Sequence, residues 1–115
     1  MQILHHGVVV QSDGSLRSYY GWPTVARLEN GQIVVAASGH RMAHVCPWGR
    51  TTLWVSDDQG ESFGPTQVAH DSPLDDRDAG VVALCGDRML LSWFTSDTRI
   101  YRDHIATLPQ PRGDL

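Results

Sequence analysis

The sequence predicts an all-β fold, and two features of the chain carry that prediction. Apolar residues come in short runs, at 7–10, 24–38, 51–56 and 80–94, and none keeps a helical period over three turns. Asn30-Gly31 and Gly86-Asp87 each stand between two apolar runs, as residues of β-hairpin turns do. The Asn30-Gly31 pair predicts a type I′ turn, in which both central residues have positive φ.

The two predicted hairpins also form an internal repeat. A shift of 56 residues superimposes them without gaps, aligning Val25 with Val81, Leu28 with Leu84, Ile33 with Met89, Val34 with Leu90 and Val35 with Leu91. A unit of that length holds four short antiparallel strands, which is one blade of a β-propeller. We expect a first unit at about 7–70 and an incomplete second unit at about 76–115. Because propellers have about four to eight blades, a longer parent chain or three copies closing six blades would supply the others.

Composition indicates one soluble domain. The 115 residues include 13 acidic and 9 basic side chains, and 41% are hydrophobic. All basic residues are arginine, so no lysine-rich patch predicts binding to nucleic acid. No apolar run approaches the roughly 20 residues that cross a bilayer, and the first residues lack the basic start of a secretory signal. We therefore expect a cytoplasmic protein that does not bind membranes, with its two cysteines as free thiols.

The segment Ser56–Phe63 reads S-x-D-x-G-x-S-F and predicts a structured turn. The side chains of Ser56 and Asp58 suit hydrogen bonds to backbone groups of such a turn, Gly60 suits a positive φ, and Phe63 can enter an apolar layer. Ser62 is the remaining specified position of the motif. The pattern resembles the Asp box (BNR repeat) of sialidase, or neuraminidase, β-propellers. The resemblance covers about residues 15–95. It implies antiparallel four-stranded blades, a structural Asp box, and a glycoside hydrolase of the exo-α-sialidase type acting on terminal sugars of glycans.

The resemblance also implies a sugar site at the strand starts. Tyr20-Gly21-Trp22-Pro23 matches the family segment Y-R-I-P, and Arg77-Asp78-Ala79 matches R-D-P. By this match Arg41, further along the first unit, contacts an acidic sugar, and Asp78 accepts hydrogen bonds from sugar hydroxyls. The first arginine of the family is replaced by Gly21, which leaves the sugar specificity open.

The proton-transfer group of the family is also replaced. No carboxylate occurs between Met42 and Trp54, where the family has its acid/base aspartate, so His44 is the candidate for that role. The family's tyrosine nucleophile lies on later blades, and we do not expect this chain alone to hydrolyse a glycan. The catalytic candidates are His44, Asp76 and Asp78, and the sugar-binding candidates are Arg41, Arg50, Arg77, Trp22 and Trp48.

Each group of candidates has a structural alternative. The stretch 40–50 is either a ligand-binding loop, with Trp48 stacked on a sugar, or a loop held by arginine hydrogen bonds. The run Asp75–Asp78 either binds sugar hydroxyls or forms a network in which Arg77 ties the aspartates together. A metal site at His40, His44 and Cys46 is disfavoured by the strand-and-loop context, and no cofactor is predicted.

Two other functions remain open at this stage. A non-catalytic carbohydrate-binding propeller would keep the aromatic and arginine surface without a pair of carboxyl groups at a glycosidic bond. A purely structural module would hold Arg41 and Asp78 in internal ion pairs and have no open pocket. The expected partner is a glycan or small sugar, except in the purely structural case.

Overall fold

The computed structural model describes residues 1–108 and consists of two antiparallel β-sheets, which confirms the all-β prediction. The first sheet contains β1 (Tyr19–Arg27), β2 (Ile33–Arg41), β3 (Arg50–Ser56) and β4 (Gln67–His70), paired in chain order. The second sheet contains β5 (Asp75–Ala83) and β6 (Met89–Ser96), and a 3-10 helix (Thr98–Tyr101) and a short helix α1 (Arg102–Ala106) follow. The end of the predicted second unit, 109–115, lies outside the described residues. In the described part of the chain, no helix is long and apolar enough to cross a membrane.

Both predicted hairpins are present, but the first turn is not of type I′. Gly31 N–H donates to the Leu28 carbonyl (3.0 Å), and Leu28 N–H donates to the Gln32 carbonyl (2.9 Å). Gly31 has a φ of 92°, whereas Asn30 does not have a positive φ. This is a three-residue loop in which a left-handed glycine follows the turn. The Asn30 side chain accepts a hydrogen bond from Gln32 N–H, which supports the turn from a conformation other than the left-handed one.

The internal repeat extends from the sequence to strand register. Val25 pairs with Val35 across β1 and β2, and the repeat-related Val81 pairs with Leu91 across β5 and β6. Register is interrupted at the same place in both hairpins, by a bulge before Thr24 and another before Gly80. The bulges contain repeat-related residues with positive φ, Trp22 (53°) and Asp78 (50°). The two units therefore share a backbone irregularity as well as an apolar pattern.

The two sheets pack through unlike faces. We define face A of each sheet as the side that carries Leu28 and Val34 in the first sheet and Leu84 and Leu90 in the second. Face B is the opposite side, which carries Val25 and Val35 in the first sheet and Val81 and Leu91 in the second. Face A of the first sheet packs on face B of the second, and Thr24 Oγ1 fixes the contact by donating to Ala79 O (3.0 Å) and accepting from Val81 N–H (3.1 Å). Face B of the first sheet holds a second core around Trp54, against which Val9, Val10, Tyr20 and Phe63 pack.

The Asp box forms the turn that follows β3. Ser56 Oγ donates to Asp58 Oδ1 (2.7 Å) and accepts from Gly60 N–H (2.8 Å). The Asp58 carboxylate also accepts from the Ser62 backbone (2.9 Å) and from the Ser62 hydroxyl. Gly60 has a φ of 91°, and Phe63 packs against the Trp54 core. The hydrogen bonds and packing predicted for this motif are confirmed.

The pKa of the Asp58 carboxyl is expected to lie well below that of a free aspartate. The side-chain and backbone hydrogen bonds from Ser62, then that from Ser56, lower the pKa of Asp58 from 3.8 to about 2. A lowered folded-state pKa stabilises the fold above pH 3.8, and that contribution is lost as the pH falls towards about 2. An NMR titration of Asp58 should therefore report a pKa near 2, and the Ser62→Ala variant should shift it towards 3.8. A Ser62→Ala chain with an unchanged Asp58 pKa would contradict this assignment, and Ser12→Ala in the N-terminal segment is the matched control.

Candidate functional site

A left-handed residue at the end of β2 determines where Arg41 points. Ser38 lies on face A, where its hydroxyl donates to the Asp76 carbonyl (3.2 Å). Regular alternation along the strand would place Arg41 on the opposite face. His40 has a φ of 52°, which interrupts the alternation, so that His40 contacts Tyr20 on face B while Arg41 reaches the same Asp76 carbonyl (3.3 Å). The bend thus brings the guanidinium of Arg41 to the start of β5.

Arg41 and Asp75 form a fully buried ion pair there. The guanidinium donates to both carboxylate oxygens, NH1 to Oδ1 (2.6 Å) and NH2 to Oδ2 (2.9 Å). It also donates to the His44 carbonyl (2.7 Å), and Cys46 N–H donates to the Asp75 carboxylate (3.3 Å). These contacts fasten the loop after β2 to β5. The guanidinium of Arg41 is thus buried and bonded within the chain, which gives Arg41 a structural role, and its sugar contact stays a prediction.

Gly49 is required by the same ion pair. A Cβ atom at this position would overlap both the Arg41 guanidinium and the Asp75 carboxylate. The Gly49 carbonyl also accepts a hydrogen bond from Asp76 N–H (3.1 Å), which ties the end of the loop to β5. A residue without a side chain lets the backbone approach the buried ion pair this closely.

The indole of Trp22 lies among three nitrogen-bearing side chains. The guanidinium carbons of Arg77 and Arg41 are 4.8 Å and 5.2 Å from the ring centroid, which is cation–π distance. The His44 ring meets the indole edge to face at 5.0 Å. Trp22 is half-buried, whereas His44 is exposed. We call Trp22, His44 and Arg77 the Trp22 cluster; all three are residues that the sequence nominated, and the structure brings them together above the Arg41–Asp75 pair.

A hydrogen bond joins Arg77 to His44 within the Trp22 cluster. Arg77 NH2 lies 3.3 Å from His44 Nε2. Because a guanidinium can only donate, Nε2 is the acceptor of this hydrogen bond. Arg77 has spare donor capacity, since its NH1 makes only a long contact to Asp75 (3.5 Å) and its buried Nε has no hydrogen-bond partner within residues 1–108.

The two catalytic aspartate candidates have different environments. Asp76 is fully buried, and its carboxylate accepts from Ser72 N–H (2.7 Å), Ser72 Oγ (2.9 Å) and Thr95 Oγ1 (2.7 Å). These bonds join the loop before β5 to β6 and give Asp76 a structural role, and its catalytic role stays a prediction. Asp78 is exposed on the β5 bulge, and within residues 1–108 its carboxylate has no hydrogen bond or ion pair.

Arg50 and Trp48 are not brought into the Trp22 cluster. Arg50 Nε lies 2.9 Å from Asp71 Oδ2. The charge of Arg50 affects the pKa of His40 and not the Trp22 cluster. Burial and, after it, the charges of Arg50 and Arg17 lower the pKa of His40 below 6.5. Trp48 is half-buried and makes no aromatic or cation–π contact among the described residues. Neither side chain forms a hydrogen bond, ion pair or ring contact with Trp22, His44 or Arg77 in that part of the chain.

Asp75 and Gly49 are the residues that the sequence analysis missed. The sequence did not distinguish Asp75 from the other two aspartates in 75–78. Its role depends on the positive φ of His40, which directs the Arg41 side chain towards it. Gly49 stands between two large side chains, Trp48 and Arg50, and the sequence analysis predicted no role for it. Within residues 1–108, no three histidine, cysteine or acidic side chains are grouped as metal ligands would be.

A comparison of the chain with protein-family models, curated proteins and solved structures found no match. The site is therefore interpreted from its own residues. It combines a half-buried indole, a guanidinium with free donors, an exposed imidazole and, one residue after Arg77, an open carboxylate. An aromatic ring with a few convergent polar groups is the usual composition of a small-ligand site.

Proposed function

We propose that this chain binds a terminal sugar of a glycan at the Trp22 cluster, as part of a sialidase-like β-propeller. The observation that carries the proposal is the contact of Trp22 with Arg77 and His44, with the exposed carboxylate of Asp78 one residue after Arg77 in the chain. A pyranose presents an apolar C–H face to the indole and hydroxyl groups to polar neighbours. Arg77 would donate to sugar oxygens, and Asp78 would accept from sugar hydroxyls.

Three observations support the sialidase-like assignment within this proposal. The Asp box has the hydrogen bonds that its sequence pattern requires. The first unit is an antiparallel sheet of four strands in chain order, as a propeller blade is. The second hairpin repeats the register and the bulge of the first. In a propeller, equivalent bulges on successive first strands would place Trp22 and Asp78 around one axis.

A second candidate is glycoside hydrolysis of the exo-α-sialidase type. It is favoured by the exposed imidazole of His44, a side chain suited to proton transfer. Hydrolysis of this type also needs a nucleophile, which in the sialidase family is a tyrosine on a later blade and not a second carboxylate. Asp75 and Asp76 are buried and bonded internally, which leaves Asp78 as the open carboxylate of this run. Sugar binding is therefore the function that the geometry supports better.

The Trp22→Ala variant tests the binding proposal. Isothermal titration of the full chain with 3′-sialyllactose and with lactose should give, for the sugar that binds, an affinity at least about tenfold weaker in Trp22→Ala. Trp93→Ala is the matched control, because Trp93 is an exposed tryptophan on β6 that contacts His70 and not the cluster. Equal affinities of wild type and Trp22→Ala would contradict the proposal. Release of free sialic acid from 3′-sialyllactose in the same samples would favour hydrolysis, and its absence would favour binding alone.

A further inference from the structure

We propose that copies of this chain associate head to tail, with face A of the second sheet in one copy packed on face B of the first sheet in the next. The pattern for this contact lies inside the chain itself. There, face A of the first sheet packs on face B of the second. The internal repeat gives the β1–β2 and β5–β6 hairpins corresponding apolar residues on each face, and the inference does not depend on sugar binding.

Face A of the second sheet is apolar and uncovered. Its repeat-related residues in the first sheet, Leu28 and Val34, are buried in the core. At the same positions in the second sheet, Leu84 is 44% exposed and Leu90 is 57% exposed. Val82 and Phe94 extend the same surface and are also exposed. Contiguous exposed apolar surface of this kind marks an interaction site.

Face B of the first sheet offers the complementary surface. In the second sheet, Val81 packs against the core, whereas its repeat equivalent Val25 is 65% exposed. Beside Val25, an apolar cavity of about 230 Å³ is lined by Pro23, Val35 and Trp54, among others. Val9 and Val10 line the same cavity and cover only part of the face. The surface that receives face A inside the chain is thus present a second time and partly open.

The two free faces are different, so the contact between copies is heterologous. Such contacts generate a ring when the rotation closes and a filament when it does not. Inside the chain each contact adds one unit to the next, so repeating it adds two units per copy. A propeller of about four to eight blades would need two to four copies, and three copies would give six blades.

The assembly is tested by light scattering of the full chain over a range of concentrations. The wild type should show masses at multiples of 12.7 kDa that rise with concentration. Leu90→Asp and Val25→Asp each charge one of the two faces at an exposed position, so each variant should fold and remain monomeric. Leu16→Asp is the matched control, because Leu16 is 60% exposed and lies outside both sheets, and it should associate as the wild type does.

Mixing the two variants gives the most specific result. The Val25→Asp chain keeps an intact face A and the Leu90→Asp chain keeps an intact face B, so an equimolar mixture should form a dimer and nothing larger. A wild type that stays monomeric, or a mixture that stays monomeric while Leu16→Asp associates, would overturn the proposal. Persistence of a Leu90→Asp dimer would also overturn it. Circular dichroism checks that each variant is folded, and Leu84→Asp serves as a second face A variant if Leu90→Asp is not.

Discussion

Replacing Asp75 with alanine is expected to lower the free energy of unfolding by about 3–5 kcal/mol. The substitution leaves the charge of Arg41 fully buried without its carboxylate partner, and it removes the acceptor of Cys46 N–H. Urea denaturation followed by tryptophan fluorescence measures the loss. Asp78→Asn is the matched control, since Asp78 is exposed and lacks an ion pair among the described residues, and asparagine tolerates its positive φ, so its effect should stay within about 0.5 kcal/mol.

A double variant separates the charge effect from a packing effect. Buried ion pairs can often be replaced by apolar side chains at little cost, whereas one unpaired buried charge is strongly destabilising. Asp75→Ala combined with Arg41→Met should therefore recover a large part of the stability that Asp75→Ala loses. If Asp75→Ala were no more destabilising than Asp78→Asn, the ion pair would not hold the loop after β2 in place.

Replacing Trp54 with alanine is expected to cost about 3–5 kcal/mol, because a large side chain leaves a cavity in the core of face B. Trp54 is only 2% exposed, contacts Tyr20 edge to face (5.5 Å), and donates from Nε1 to Thr66 Oγ1 (2.9 Å). Trp93→Ala, at a position 39% exposed, removes the same side chain and should cost much less. The two urea midpoints give the comparison, and equal losses would contradict the assignment of Trp54 to the core.

The features that depend on local pattern were predictable from the sequence. Alternating apolar runs and turn residues predicted the sheets, and the alignment of Val25 with Val81 predicted hairpins of equal register. The Asp box was predictable because its hydrogen bonds join residues four apart or fewer, such as Asp58 and Ser62. The sialidase-like interpretation, with its sugar site, stays a proposal that these features support.

The roles of individual charged residues were not predictable, because they depend on two backbone irregularities. His40 has a positive φ although it is not a glycine, and this places the Arg41 side chain on face A instead of face B. The bulge after Arg77 likewise sets the exposed Asp78 apart from Asp75 and Asp76, which pair in regular register with β6 and are both buried. The repeat did contain a clue, since it aligns Trp22 with Asp78 and a bulge at one predicts a bulge at the other.

An NMR titration of the ¹⁵N-labelled chain with 3′-sialyllactose and, separately, with lactose tests the central claim most directly. We predict saturable shifts for at least one sugar at the Trp22 indole N–H and at the backbone amides of His44, Arg77 and Asp78. Amides of the Asp box, such as that of Ser62, should not move. No saturable shift with either sugar, or shifts centred away from the Trp22 cluster, would contradict the proposed sugar site.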